Sequence, residues 1–195
     1  MSPRLYIVSG CNGAGKTTAS LTILPEILEV HEFINADEIA AKMLPEQPEK
    51  AAFQAGRLML NRIDECIAKG VDFAFETTLA TRSYAGKVRK AREQGYSVIL
   101  LFFWLDSVDL AQQRVVLRVS EGGHHIPPEV IERRYNRGLH NLFDTYLDLV
   151  NEWMVIDNSQ ERHELMASGV EGSDRYVSNA QKWTTFVDSY GKNES

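Results

Sequence analysis

At residues 10–17 the chain has the sequence Gly10-Cys11-Asn12-Gly13-Ala14-Gly15-Lys16-Thr17. This stretch matches the phosphate-binding pattern G-x-x-x-x-G-K-[ST] at every fixed position. A short apolar run over residues 5–9 precedes it and is typical of a buried parallel strand. Residues 17–21 follow it and can open a helix. The sequence therefore predicts the strand, glycine-rich turn and helix that such a loop requires.

The loop residues have distinct chemical roles in phosphate binding. Glycines let consecutive backbone N–H groups curl around phosphate oxygens, and the start of the next helix adds unpaired donors and the positive end of its dipole. We expect Lys16 to reach the β- and γ-phosphates and the Thr17 hydroxyl to hold Mg²⁺. The sequence thus predicts ATP or GTP, with Mg²⁺, bound by Gly10, Cys11, Asn12, Gly13, Ala14, Gly15, Lys16, Thr17 and Thr18.

Length and composition fit one α/β domain and argue against several other classes of protein. The chain has 195 residues, 44% hydrophobic and 25% charged, which is ordinary for a globular protein. The net charge of -6 argues against a general affinity for nucleic acid, and no apolar run approaches the ~18 residues of a membrane span. With two cysteines and a strand almost at the N-terminus, we expect reduced thiols, no signal peptide and a cytoplasmic location.

Predicted strands alternate with predicted helices along most of the chain. After the first strand, further strands are expected at residues 32–35, 73–75, 96–105 and 153–156. This alternation is typical of a parallel sheet with helices on both faces, here in a single domain over residues 1–195.

The helices and the C-terminal segment complete this prediction. The first helix should run from about Lys16 toward Leu24, a later one from about Glu49 to Lys69, and another from Pro127 or Pro128 to about Val150. Within residues 160–190 we expect a hairpin that turns at 169–172 and a closing helix over 180–190.

Acidic residues fall at the carboxyl ends of predicted strands, where an open parallel sheet binds its ligands: Asp37, Glu76, Asp106 and Asp157. Asp37 has two interpretations. Its carboxylate could accept a proton from an acceptor hydroxyl, or it could cap the helix that begins at Glu38. The stretch Glu76-Thr77-Thr78 could likewise orient a Mg²⁺-bound water or a substrate hydroxyl, or it could cap the helix that follows.

Two predicted helices carry arginines on either side of a Gly122-Gly123 turn. Arg114 and Arg118 are four residues apart and share a face of the first helix. The second helix carries Arg133, Arg134 and Arg137. This arrangement over residues 110–140 is typical of a lid that closes over polyphosphate, although solvated helix faces are the alternative.

The residues identified above resemble the zeta-toxin-like P-loop kinases, in particular their compact bacterial members. The resemblance covers about residues 4–158. Its motifs, in the order found in that family, are the loop at 10–18, Ile34-Asn35-Ala36-Asp37, Phe75-Glu76-Thr77-Thr78, and the block from Gly122 through Arg137.

The resemblance implies a fold and an activity. It implies a three-layer α/β/α sandwich with a parallel sheet of order 2-3-1-4-5 and an arginine-bearing lid. It also implies phosphorylation by ATP and Mg²⁺ of the 3′-hydroxyl of the sugar in UDP-N-acetylglucosamine, with a possible antitoxin protein as partner. By similarity, Lys16 would bind phosphates, Asp37 would be the base, Glu76 would contact the sugar substrate beside Thr77 and Thr78, and the catalytic lid arginines would be Arg118, Arg134 and Arg137.

Other functions remain open at this point. The acceptor could be a nucleoside, another metabolite or a 5′-hydroxyl end, although the acidic net charge argues against a polynucleotide. A regulatory NTPase switch is the alternative outside the kinases. Such a switch needs a positioned water and a moving loop rather than an acceptor base at Asp37.

Overall fold

The computed structural model describes residues 2–20, 30–123 and 125–191. In these residues the strands are β1 (Arg4–Gly10), β2 (Phe33–Ile34), β3 (Phe73–Thr77), β4 (Ser97–Trp104), β5 (Glu152–Asp157), β6 (Glu164–Val170) and β7 (Tyr176–Val177). The helices are α1 (residues 16–20), α2 (Ala36–Met43), α3 (Pro48–Lys69), α4 (Ala85–Glu93), α5 (Val108–Ser120), α6 (Pro128–Asn141) and α7 (Ala180–Tyr190). The expected end of the first helix near Leu24 lies outside the described residues.

The strands form one sheet of order β2-β3-β1-β4-β5-β6-β7. The first five strands of that order pair in parallel, which confirms the expected order 2-3-1-4-5. β6 pairs antiparallel with β5, and β7 antiparallel with β6. The predicted hairpin therefore exists, and it also extends the sheet, which the sequence analysis did not foresee.

The central strands β1 and β4 are buried along nearly their whole length. β1 is apolar over residues 5–8 and β4 over residues 98–104, as expected when helices cover the two faces of a parallel sheet. In the register, Ser9 of β1 pairs with Thr77 of β3 and with Phe102 of β4. The carboxyl ends of these strands therefore lie at one edge of the sheet, where the predicted site residues were expected to meet.

Two helices differ from their predicted limits. Proline at the first helical position sacrifices no hydrogen bond, so Pro48 begins α3 one residue before the expected start. α6 ends at Asn141 rather than near Val150, and a π-helical turn over Leu142–Tyr146 follows. Leu142 and Tyr146, at the two ends of that turn, are both fully buried.

The predicted turn of the C-terminal hairpin is wrong at Gly169. This glycine lies within β6, and the connection to β7 spans residues 171–175. A Cβ at Gly169 would lie 2.5 Å from the indole ring of Trp153 on the paired strand β5. Glycine is therefore present because an aromatic ring packs on the backbone here, and not because the chain turns. The closing helix α7 is found as predicted.

Candidate active site

The phosphate-binding loop is fixed by close backbone packing. Gly10, Gly13 and Gly15 have φ values of 140°, 80° and 80°, which favour glycine over other residues. A Cβ at Gly10 would lie 2.2 Å from the carbonyl oxygen of Phe103, and one at Gly15 would lie 2.5 Å from Nδ2 of Asn158. The loop is therefore held against the ends of β4 and β5, and larger residues would displace it.

Two side chains distant in sequence anchor the loop. Asn158 donates from Nδ2 to the Ala14 carbonyl at 2.8 Å, and Arg134 donates from Nη1 to Oδ1 of Asn12 at 3.2 Å. Arg134 belongs to the predicted lid, whereas sequence reasoning did not single out Asn158, whose only signal is its place after the fifth strand. Within the loop, burial raises the pKa of the Cys11 thiol to about 11, so this residue stays a neutral thiol.

Glu76 contacts the phosphate-binding loop directly. Lys16 is buried, donates from Nζ to the Cys11 carbonyl at 2.9 Å, and lies 3.5 Å from Oε1 of Glu76. The Thr17 hydroxyl donates to Oε2 of Glu76 at 2.8 Å. The structure places the Glu76 carboxylate between the lysine and threonine of the loop, and the sugar contact that the resemblance implied for it stays a prediction. The alternative that Glu76 caps a helix is not what the structure shows.

The cap of α2 is Asn35 and not Asp37. The Asn35 side chain accepts from the backbone N–H of Asp37 at 2.8 Å and donates from Nδ2 to Oε2 of Glu76 at 3.1 Å. The prediction that Asp37 caps the helix is therefore wrong, because the helix begins two residues earlier. The Asp37 carboxylate is exposed, and no side-chain hydrogen bond or ion pair joins it to the described part of the chain.

These side chains line one cleft of about 330 Å³. Its wall includes Lys16, Asp37 and Glu76 together with Thr77 and Thr78. The remaining charged residues on the wall come from α6: Arg133, Arg134 and Arg137. None of these three arginines forms an ion pair with a carboxylate in residues 2–20, 30–123 or 125–191, so the positive charge is available to a ligand.

Gly138 brings α6 close to the end of β3. A Cβ at this position would lie 2.4 Å from the carbonyl oxygen of Thr78. Arg134 and Arg137 of the same helix line the cleft together with Thr78. Sequence reasoning missed Gly138, because a glycine inside an amphipathic helix gives no signal of what packs on it. α5 and α6 span the predicted lid, and its closure stays a prediction.

Other predicted residues lie outside the cleft. Arg118 does not line it, and its Nε is buried without a hydrogen-bond partner in the described structure. A Cβ at Gly123 would lie 2.8 Å from the Arg118 side chain, so this arginine packs on the glycine turn. Asp106 is exposed outside the cleft, while Asp157 is buried and bound by Lys182 and Ser159. Thr18 is exposed next to Thr17 in α1.

The Thr17 hydroxyl of the loop and the Glu76 carboxylate of β3 fit Mg²⁺. In the described residues, no group of three or more His, Cys, Asp or Glu side chains could hold a metal ion. Mg²⁺ bound with a nucleotide commonly uses only one or two carboxylates together with phosphate oxygens. The Thr17 hydroxyl and the Glu76 carboxylate, 2.8 Å apart, are hard oxygen donors of that kind.

The zeta toxin family model matches residues 1–171. This chain belongs to the zeta toxin family. The match includes every cleft residue named above, while β7 and α7 lie beyond it. A relative of this family member from Haemophilus influenzae, described only as an uncharacterized protein, is 28% identical over 135 residues, which cover 69% of this chain and 94% of that protein.

Solved structures show the same fold. A chain from the PezAT chromosomal toxin–antitoxin system of Streptococcus pneumoniae matches with a TM-score of 0.69 at 15% identity, covering 100% of this chain and 80% of that chain. A chain of the AvrRxo1-ORF1:-ORF2 complex with ATP matches with a TM-score of 0.75 at 14% identity, covering 95% of this chain and 63% of that chain. A putative kinase from Chloroflexus aurantiacus also matches, with a TM-score of 0.55 at 19% identity, covering 70% of this chain and 77% of that chain, and the fold of this family member is that of a P-loop kinase. Within the described residues, no helix has the length and apolar character to cross a membrane.

Proposed function

We propose that this protein is an ATP-dependent kinase that transfers the γ-phosphate of ATP to a hydroxyl of a UDP-amino sugar such as UDP-N-acetylglucosamine. The observation that carries the proposal is that two groups line the same cleft. One is the Asp37 carboxylate, which has no ion pair in the described structure, and the other is the ammonium group of Lys16. The first has the chemistry of a general base, and the second that of a phosphate-binding cation. Family membership and the kinase fold support the same conclusion.

Each residue has a defined task in this proposal. The loop backbone and Lys16 bind the phosphates of ATP, and Thr17 with Glu76 would hold Mg²⁺. When bound, Mg²⁺ neutralises charge on the β- and γ-phosphates. Asp37 orients the acceptor hydroxyl and takes its proton, while the acceptor oxygen bonds to the γ-phosphorus and the bond from that phosphorus to the bridging oxygen breaks. The products are ADP and a phosphomonoester.

The arginines of α6 favour an acceptor that carries phosphate. Four cationic side chains and two carboxylates line the cleft. Lys16 belongs to the phosphate-binding loop and Arg134 donates to it, whereas Arg133 and Arg137 have no ionic partner in the described residues. A UDP-sugar offers its own diphosphate to these two guanidinium groups, whereas an uncharged nucleoside does not.

The test is to incubate the pure protein with Mg²⁺-ATP and separate acceptors, and to identify products by mass. The panel contains UDP-N-acetylglucosamine, UDP-glucose, free N-acetylglucosamine and nucleosides, with GTP replacing ATP in a parallel series. We expect one added phosphate on the UDP-amino sugar and none on the free sugar. Transfer only to a nucleoside or to another metabolite would assign a different acceptor, and ATP hydrolysis with no acceptor product would favour a regulatory NTPase.

The proposal extends to a protein partner. The related chain from Streptococcus pneumoniae belongs to a toxin–antitoxin system, which supports an antitoxin that inhibits this kinase. Inhibition of the measured transfer by a purified candidate antitoxin, at a ratio near one to one, is the expected result. Unchanged transfer at saturating candidate would remove that partner from consideration.

A further inference from the structure

Asn35 uses both ends of its side-chain amide. It is buried, with 6% of its surface exposed, between the end of β2 and the start of α2. Its oxygen accepts from the N–H of Asp37 at 2.8 Å, and its nitrogen donates to Oε2 of Glu76 at 3.1 Å. Capping explains the first contact but not the second, because a helix cap needs only an acceptor.

The second contact reaches the oxygen that also faces Thr17. The Thr17 hydroxyl donates to the same Oε2 at 2.8 Å, and the other Glu76 oxygen lies 3.5 Å from Nζ of Lys16. The Glu76 side chain is itself 10% exposed. Thr17 and Asn35 therefore both donate to one oxygen of this carboxylate, and Asn35 is the donor that does not belong to the phosphate-binding loop.

We propose that Asn35 is a positioning residue that orients the Glu76 carboxylate toward Mg²⁺ bound with nucleotide. The inference rests on the proposed use of Mg²⁺-ATP by this cleft. Groups that hydrogen-bond a metal-binding carboxylate fix its direction, and their loss weakens metal binding although they never touch the ion. The same amide also holds the first turn of α2, so Asn35 ties the segment that carries Asp37 to the carboxylate beside Thr17.

The decisive variant is Asn35→Ser. Serine caps a helix about as well as asparagine, so the N–H of Asp37 keeps its partner. Its hydroxyl is one bond closer to the backbone than the amide nitrogen, so the reach to Glu76 is lost. A second variant, Asn35→Ala, removes both contacts and shows what the loss of the cap alone adds to the loss of the donor.

The measurement is binding of a non-hydrolysable ATP analogue as a function of Mg²⁺ concentration, with EDTA as the metal-free reference. For Asn35→Ser we expect analogue affinity in EDTA to match wild type. We expect the Mg²⁺ concentration for half-maximal enhancement of binding to rise roughly 10- to 100-fold, the usual effect of removing a partner of a metal ligand. The melting temperature without nucleotide should stay near that of wild type, because the cap is kept.

Asn179→Ser is the matched control. Asn179 caps α7 by accepting from the N–H of Lys182 at 3.1 Å, and its amide also donates to a glutamate, Glu164, at 3.3 Å. The chemistry is the same as at Asn35, but the residue lies away from the cleft. This variant should leave the Mg²⁺ dependence unchanged.

Wild-type Mg²⁺ dependence in Asn35→Ser would overturn the inference, and so would an equal shift in Asn179→Ser. A loss of analogue affinity in EDTA as large as that with Mg²⁺ would also overturn it, because the defect would then lie in the loop itself. The proposed function fails separately, by the absence of a phosphorylated acceptor from the wild-type protein. The binding titration needs no acceptor and decides the role of Asn35 in either case.

Discussion

The cleft and the C-terminal edge of the sheet, meaning the cluster of Asp157, Glu164 and Lys182, differ in whether their charged side chains have partners within the protein. At the C-terminal edge, the buried Asp157 carboxylate accepts from Lys182 at 2.8 Å and from Ser159, and Lys182 also pairs with Glu164. Burial acts to raise the pKa of Asp157, but the hydrogen bonds from Lys182 and Ser159 outweigh it and lower the pKa. Every charge of this cluster has a partner within the protein.

The cleft keeps charges without such partners. Arg133, Arg137 and the Asp37 carboxylate form no ion pair with a described residue, although all three line one cavity. Holding like-charged guanidinium groups side by side costs stability unless a ligand neutralises them. The charges at the C-terminal edge therefore stabilise the fold, whereas the cleft charges are arranged for a ligand. Substitutions in the two regions should therefore separate activity from stability.

The largest effect is expected from Lys16→Met. Methionine keeps the length and packing of the side chain but removes the ammonium group that faces the Cys11 carbonyl and Glu76. Transfer should fall roughly 10³- to 10⁵-fold, the range for loss of a cation that stabilises phosphoryl transfer. Lys90→Met, at an exposed pair with Asp64 outside the cleft, is the control and should keep full turnover. Equal turnover of wild type and Lys16→Met would remove the loop from catalysis.

Asp37→Asn should have the next largest effect. Asparagine cannot take the proton of the acceptor, so turnover should fall roughly 10²- to 10⁴-fold. ATP affinity should barely change, and stability should stay within about 0.5 kcal/mol, since Asn35 and not Asp37 makes the cap.

The control for Asp37→Asn is Glu38→Gln. Glu38 is the adjacent exposed acid of the same helical turn but does not line the cleft. Turnover, analogue affinity and melting curves of both variants decide the matter. Near wild-type transfer by Asp37→Asn would exclude Asp37 as the base and weaken the proposed acceptor chemistry.

Arg137→Ala should have a smaller effect on catalysis. A hydrogen bond to a charged group contributes about 1.5–3 kcal/mol, which corresponds to a fall in kcat/KM of roughly 10- to 100-fold. Arg89→Ala is the control, because Arg89 is an exposed arginine of α4 outside the cleft. If both variants kept the kcat/KM of the wild type, the α6 arginines would be ordinary solvated residues, and the lid prediction would lose its support.

The sequence predicted the local parts of the site better than its long-range contacts. The phosphate-binding loop is a continuous motif, so its glycines and Lys16 could be assigned directly. The pairing of Glu76 with Thr17 joins residues 59 apart in sequence and depends on the register of β1 and β3. Spacing alone does not give that register, so the sequence could place Glu76 at the carboxyl end of its strand but could not identify Thr17 as its partner.

The start of α2 shows a second limit. Asn35 and Asp37 are both good helix caps two residues apart, and only the end of β2 decides which of them precedes the helix. Gly138 and Gly169 show a third, because each is required by an atom from a distant segment, the Thr78 carbonyl and the Trp153 ring. Arg118 shared its sequence pattern with the cleft arginines but packs on Gly123.

The last prediction concerns the C-terminal edge, where Lys182→Met should lower stability without lowering activity. Among the described residues, the variant leaves the buried Asp157 carboxylate with the backbone N–H and the hydroxyl of Ser159 as its remaining hydrogen-bond donors. Loss of one partner of a buried charge costs about 1–3 kcal/mol. Lys182 is 38% exposed, and water screens its interaction with Asp157, so we expect the free energy of unfolding to fall by about 1–2 kcal/mol. Arg4→Met, at an exposed pair with Asp72, is the control and should cost less than ~1 kcal/mol.

The loss in Lys182→Met should also depend on pH. Folding lowers the pKa of Asp157. The ionised carboxylate therefore contributes fully to the free energy of unfolding above its pKa in the unfolded chain, which is near ~4, and this contribution disappears as the pH falls through its lower pKa in the folded protein. Without Lys182 that pKa rises. The difference in unfolding free energy between wild type and variant should therefore be largest at neutral pH and should narrow below about pH 4.

Urea unfolding of both proteins at pH 7 and at pH 3 measures this difference. An equal difference at both values would show that the lysine acts by packing alone, and reduced transfer at neutral pH in a folded variant would contradict the division of roles between the two regions.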